Sequence, residues 1–384
     1  MQERRKPGSC FFAVRKSNHA NNFWLSFINN GDFSQTVCDS TFELHQRTMT
    51  MRIDWFPLCL FTVVAIVIAR ECICSYEEKE RDNKAFAAYL ATQHGDSVWT
   101  GRRPQQIPYF TDTGALVQYG YELIANTAAY LGPEGSIAKL SNGMNCQNCH
   151  LQGGVVPFGN NFGKVFATYP QYRARNNGIQ DIPQRITDCF ERSLNGHAPD
   201  TGSREMKAIT AYIRWLGDGV PKGMKPPGTS IMKLPYLHRS ADVRQGERIY
   251  REQCSSCHGK DGEGVESKVV KGYSYPPLWG EHSYNDGAGL YRLSNFAGFV
   301  YNNMPYGTDY HRPKLSVEES WDVAAFVNSR PRPHFNQQHD WQLVAGKPVD
   351  YPFKPYADTF TEYQHKFGPF QPIKEEQRKQ LVTR

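Results

Sequence analysis

This sequence has no block of clustered lysine and arginine, no apolar run of transmembrane length, and almost no cysteine without an obvious use. The first absence qualifies the formal net charge of +6. Nucleic-acid partners are announced by dense basic blocks, so the mild excess describes a solvated surface, excludes a nucleic-acid partner and is compatible with a small anionic substrate. The second absence bounds the N-terminus. The longest apolar run, WFPLCLFTVVAIVIA at 55–69, sits between Asp54 and Arg70 and falls short of the roughly 18 residues that a membrane helix needs. It fits the upper limit of a signal-peptide core, which predicts an exported, periplasmic protein that meets the membrane only if 55–69 stays uncleaved. No small-residue cleavage site follows Ala69, because RECIC comes next. Residues 1–50 are polar, Asn-rich and aperiodic, and read as an unstructured leader or a misassigned start before Met49 or Met51; residues 51–75 then form the signal peptide or anchor.

The scarcity of cysteine is the most informative of the three. Of ten cysteines, five lie in the leader and its exit, at 10, 38, 59, 72 and 74, and five in the body, at 146, 149, 189, 254 and 257. Four of the body cysteines fall in two copies of one pattern, CQNCH at 146–150 and CSSCH at 254–258. CxxCH is the attachment signature of c-type haem: two thiols bond the haem vinyl groups and the adjacent histidine is placed to bind iron. Zinc ribbons and redox dithiols also use CxxC, but a histidine after both second cysteines in an exported chain favours haem. The motifs therefore predict two covalently bound haem c groups, attached at Cys146, Cys149 and His150 and at Cys254, Cys257 and His258.

At 384 residues the chain exceeds the roughly 250 to 300 at which a single core stops growing, so two domains with extensions are expected. An internal repeat places them. VQYGYELI (117–124) and VRQGERIY (243–250) each put a glycine in a periodically apolar stretch ahead of a haem motif. Behind the first motif, SREMKAITAYIRWLG sets Met206, Ile209, Ile213 and Leu216 on one helical face after a cap at Ser203. Behind the second, Ser316 and Glu319 have capping-box spacing and Trp321, Ala324 and Val327 recur every three residues. Each half reads helix, haem motif, loop, closing helix: a mainly α protein of two class I cytochrome c domains. The expected boundaries are 76–217 and 241–330, joined by an aperiodic Pro/Gly linker at 218–240 and followed by an extension at 331–384.

Each iron also needs a distal ligand or an open position. In the second half NNMPYG offers Met304, a thioether on a loop stiffened by Pro305; methionine–histidine ligation raises reduction potential and suits electron transfer. His282 and His311 are weaker candidates. The first half has no such loop, and its candidates are Cys189, His197 and Met206, the last on the expected core face of its helix. Cys189 lacks a disulfide partner unless Cys72 or Cys74 survives processing, and a spare thiol in an oxidising compartment is a liability unless it is buried or used.

Long segments of 77–375 resemble the dihaem thiosulfate dehydrogenases: CQNCHLQGG, YPQYRAR, RITDCFERSLNG, SREMKAITAYIRWL, PPLWG, GAGLYRLS, NNMPYG, WDVAAFVNSRPRP and KPVDYPFKPYADTFTEYQHKFGPFQPI. The resemblance implies that Cys189, in RxxxCxxxS, is the axial ligand of the first haem, and that Arg175, Arg185 and Ser193 form the substrate pocket. It implies oxidation of two thiosulfates to tetrathionate, or the reverse, with an external acceptor such as a small cytochrome c or another high-potential redox protein. Some members carry lysine before the second-haem methionine; here Asn303 stands there, so steady His258/Met304 ligation is expected. Arginine forks hold oxyanions in a way lysine cannot. Each arginine has an alternative use as a surface or haem-propionate partner. Cys189, if it leaves the iron, would be able to form a covalent thiosulfonate by thiol exchange. The rival reading is a dihaem electron carrier with no substrate of its own. It shares both CxxCH motifs and Met304, so Cys189, Arg175, Arg185 and Ser193 are what separate the two. A sulfur-oxidising cytochrome subunit with a cysteine-ligated haem is a further enzymatic rival. A dihaem peroxidase would need an acid/base residue beside an open iron, and no motif supplies one.

Overall fold

The computed structural model describes residues 55–93 and 98–382. The expected leader at 1–50 lies outside them. The chain divides into two units, Met1–Val67 and Ile68–Arg384. Helix α1, Trp55–Gln93, carries the apolar run, and Leu60, Phe61, Val63, Val64 and Ile66 on it are exposed. Among the described residues no helix is long and apolar enough to cross a membrane.

Within the second unit the first haem motif is framed by α2 (Asp112–Ala125), α3 (Thr127–Leu131), the single turns α4 (Leu151–Gly154) and α5 (Val165–Thr168), α6 (Ile182–Arg192) and α7 (Arg204–Gly217). The second is framed by α8 (Val243–Gln253), α9 (Ser255–His258), α10 (Leu293–Asn303) and α11 (Val317–Ser329), and the chain closes with α12 (Glu362–Phe367) and α13 (Gln371–Val382). Strands are confined to two antiparallel pairs, β1 (Gln171–Arg173) with β2 (Gly178–Gln180) and β3 (Val265–Glu266) with β4 (Tyr273–Tyr275).

Local chemistry starts the helices. Thr111 accepts from Gly114 N, Asp242 from Arg244 N and Gln245 N, and Ser203 from Met206 N. Ser316 and Glu319 form the expected reciprocal capping box. Each such cap satisfies a backbone donor that the first helical turn leaves unpaired.

The repeated glycine has a packing cause. α2 crosses α7 and α8 crosses α11. A Cβ at Gly120 would lie 2.0 Å from the Ala208 carbonyl oxygen, and one at Gly246 would lie 1.9 Å from that of Asp322. Both halves therefore bring two helix backbones together at a point where only hydrogen fits. The expected faces are buried: Met206, Ile209, Ile213 and Leu216 on α7, and Trp321, Ala324 and Val327 on α11.

α11 is more deeply enclosed than its pattern predicts, since every residue from Ser320 to Asn328 is buried. Packed between α8 and α10, it has to satisfy its polar side chains internally. Asp322 accepts from both Arg239 terminal nitrogens at 2.8 Å, and Asn328 donates to the Leu290 and Tyr291 carbonyls. The segment joining the halves has no helix but is anchored: Met232 and Leu234 are buried, and the Gly228 carbonyl accepts from Phe158 N and Asn161 Nδ2.

Candidate functional site

The first CxxCH is held by its neighbours on α3. The buried Thr127 hydroxyl accepts from Cys146 N at 3.0 Å, and Asn145 caps Ala128 N through Oδ1 at 2.8 Å. His150 stacks on Phe162, with ring centroids 4.4 Å apart, and its Nδ1 donates to the Asn160 carbonyl. That bond fixes the tautomer and leaves Nε2 as the free ligating nitrogen. Burial pushes the imidazole down to about 4, so it is neutral, as a metal ligand must be. The second motif repeats the device: His258 Nδ1 donates to the Pro276 carbonyl at 2.9 Å, and burial lowers its imidazole too.

Cys146, Cys149, His150 and Cys189 line one cavity of about 490 Å³, walled by Phe190, Ile209 and Ile213. That volume is in the range of roughly 300 to 1,000 Å³ usual for cofactor sites, and the lining is mainly apolar with a few convergent polar groups. The donor set fits a c-type haem: the two thiols of the CxxCH motif, a neutral imidazole with free Nε2, and a further thiol on α6.

Of the three distal candidates in this half, only Cys189 lies in the cavity. His197 is exposed and Met206 is buried on the core face of α7. Cys189 is unpaired, and Arg185, one turn earlier on α6, donates to its Sγ at 3.2 Å. Arg185 and Ser193 line the cavity with it. The neighbouring Cys189 sulfur raises the Arg185 guanidinium.

Arg175 is placed differently, outside that lining. It sits in the turn of the β1–β2 hairpin and donates to Asp188 Oδ2 at 2.6 Å. Strand alternation instead turns Gln171 and Arg173 toward the cavity and leaves Tyr172 exposed.

Asp188, adjacent to Cys189, is the hub of a buried network that the sequence did not reveal. It accepts from Arg175 and from Gln180 Nε2 at 3.2 Å, and faces Arg192 at 3.9 Å. Burial alone would raise its carboxyl, but Arg175, Arg185 and Arg192 outweigh that and hold it below the ordinary range. Arg192 makes a two-pronged pair with Asp340 at 2.8 Å on each prong and lies over the Phe335 ring. Trp341 N donates to the Arg175 carbonyl at 2.7 Å. The C-terminal segment thus clamps both the hairpin and α6. Sequence spacing offered one signal, the four-residue step from Asp188 to Arg192; the partner in the tail had none.

In the second half Met304 caps the C-terminus of α10 and is partly buried against the core. Asn303 is buried and donates to the Phe299 carbonyl at 2.8 Å and the Phe158 carbonyl at 3.3 Å. His282 and His311 are exposed.

Comparison with known proteins matches these two halves to two family models. Residues 136–221 match the SoxA/TsdA cytochrome c domain, and residues 243–331 match cytochrome c. The thiosulfate dehydrogenase of Stutzerimonas stutzeri (strain A1501) is 34% identical over 287 residues, covering 75% of this chain and 88% of that one. That of Allochromatium vinosum is 40% identical over 206 residues, covering 52% and 73%. Among solved structures, the thiosulfate dehydrogenase TsdBA of Marichromatium purpuratum superposes with a TM-score of 0.57 at 31% identity, covering 64% of this chain and 52%, about half, of the other. With two cytochrome c domains, two haem-attachment motifs and a relative matched over most of its length, this chain belongs to the thiosulfate dehydrogenase family of dihaem c-type cytochromes.

Proposed function

We propose that this chain is an exported, periplasmic enzyme that oxidises two thiosulfates to tetrathionate at the Cys189 cavity and passes two electrons to an external acceptor, a small cytochrome c or another high-potential redox protein. In this reading 76–217 form the catalytic domain, 218–240 the linker, 241–330 the electron-transfer domain and 331–384 an extension. His150 and Cys189 hold one iron, and His258 and Met304 the other. The bound haems supply two one-electron sites, the thiolate-ligated one lying at lower potential than the methionine-ligated one.

The observation that carries this reading is the meeting of Cys189, Arg185 and Ser193 with Cys146, Cys149 and His150 in one cavity. Arg185 donates to Cys189 Sγ, and the remaining N–H groups of its fork are suited to a sulfonate oxyanion. Ser193 adds a hydroxyl donor one turn beyond Cys189. Arg175 contributes through Asp188, fixing the start of the helical turn that carries the thiol. The reaction balances as two dianions giving one S–S bond, one dianion and two electrons, with no proton exchanged. The same site would reduce tetrathionate if the partner's potential reversed the flow.

The test is an assay of the haem-loaded protein with thiosulfate and ferricyanide. Reduction of two ferricyanides per tetrathionate formed is expected. With both haems attached, an absence of turnover would favour the electron-carrier alternative.

A further inference from the structure

The cavity lining contains six cations, Lys164, Arg173, Arg185, Lys225, Lys233 and Arg292, and no aspartate or glutamate. Two of the six are committed: Arg292 pairs with the buried Asp350 at 2.6 Å, and Arg185 faces Cys189. The other four have no carboxylate partner among the described residues. Lys164 donates to the Ser230 hydroxyl and Lys233 to Asn295 Oδ1 at 2.9 Å, both neutral acceptors.

These cations also repel one another. Burial together with Lys225, Lys233 and Arg173 pushes the Lys164 ammonium down to about 8. Like charges gathered this closely repel one another, and an anion between them relieves that cost. A haem carries two propionates, so even if both ended here, two of the four charges would remain for a dianion.

We propose that Lys164, Arg173, Lys225 and Lys233 form an entry site that collects dianionic sulfur oxyanions and delivers them to the Cys189 cavity. This rests on the function proposed above and extends it in two ways. The segment joining the two halves supplies Lys225 and Lys233, so it is part of the substrate path as well as a connection. Arg173, on β1, stands at the cavity where Arg175 does not. A rim of one sign over low-dielectric walls focuses the field and raises the local concentration of the counter-ion, which acts on capture more than on chemistry.

The test is steady-state thiosulfate oxidation by the holoprotein at saturating acceptor, over a range of ionic strength, for the wild type, Arg173→Ala, Lys225→Ala, Lys233→Ala and Lys225→Glu. Each alanine variant is expected to lower kcat/KM by about threefold to tenfold and flatten its salt dependence, with kcat and the haem spectra retained. Lys225→Glu is expected to lose more than Lys225→Ala. Unchanged kcat/KM and salt dependence in all variants would overturn the entry site. A loss accompanied by altered haem content or reduction potential would also overturn it, assigning the cations to the propionates. If the wild type itself fails to oxidise thiosulfate, the functional reading fails; if only the variants match the wild type, the entry site alone fails.

Discussion

At the scale of single residues, the proposed chemistry turns on Cys189. Its Sγ receives the Arg185 guanidinium at 3.2 Å and shares a cavity with His150. If it ligates iron, Cys189→Gly should alter the low-spin spectrum of the first haem and leave the second unchanged; an unaltered spectrum would rule out thiolate ligation. If it leaves the iron, the same sulfur would also be able to react. Joining the Cys189 thiolate to thiosulfate through an S–S bond releases two electrons and leaves Cys–S–S–SO₃⁻, which a second thiosulfate attacks to form tetrathionate and restore the thiolate. Peptide mass analysis of the oxidised protein after thiosulfate treatment should then find thiosulfate on the Cys189 peptide, and an active enzyme that never carries it would limit the residue to ligation. Cys189 was legible in the sequence because the other body cysteines were claimed by CxxCH. Asp188 beside it was legible only in its four-residue step to Arg192, because its other partner, Arg175, comes from a hairpin turn that only the fold brings to α6.

Elements show the same split between local and distant causes. Caps, helical faces and haem motifs are written within a few residues, so Ser316, Glu319 and the Met206 face were readable in advance. The repeated glycine was visible as a pattern, but its reason lies across a helix crossing. Gly246→Ala would put a Cβ 1.9 Å from the Asp322 carbonyl oxygen, so α8 and α11 must move apart, at a cost of about 1 to 3 kcal/mol. Chemical unfolding of the holoprotein should show it, whereas a variant as stable as the wild type would mean the crossing is looser than described. The tail clamp is a second case. Arg192, Asp188 and Asp340 have side chains only 6%, 7% and 9% exposed. Asp340→Ala removes the two-pronged partner of a buried guanidinium and leaves it only the longer 3.9 Å carboxylate contact to Asp188, so the cost approaches the roughly 3 kcal/mol at the low end for a broken buried pair. Asp340→Ala should therefore unfold at markedly lower denaturant concentration, and a midpoint at the wild-type value would contradict the clamp.

At the scale of the larger unit, Ile68–Arg384, the first half, the joining segment and residues 284–295 of the second half together line one positively charged cavity. Electrostatics also set its response to acid. Burial would raise the Asp350 carboxyl, but Arg292 and the Ser294 amide outweigh it and hold it below its ordinary 3.8. Its folded value is the depressed one, so its stabilising contribution is full above about pH 4 and is lost as pH falls through the folded value. Melting temperatures of the wild type and Asp350→Asn should converge below that range; parallel curves would show that the carboxylate contributes no linkage. The most direct test of the central claim, that thiosulfate is oxidised at the Cys189 cavity, is the turnover number of Cys189→Gly purified with both haems attached. The account predicts a fall of roughly 100-fold or more relative to the wild type. A fully haem-loaded variant that still oxidises thiosulfate at the wild-type rate would contradict it.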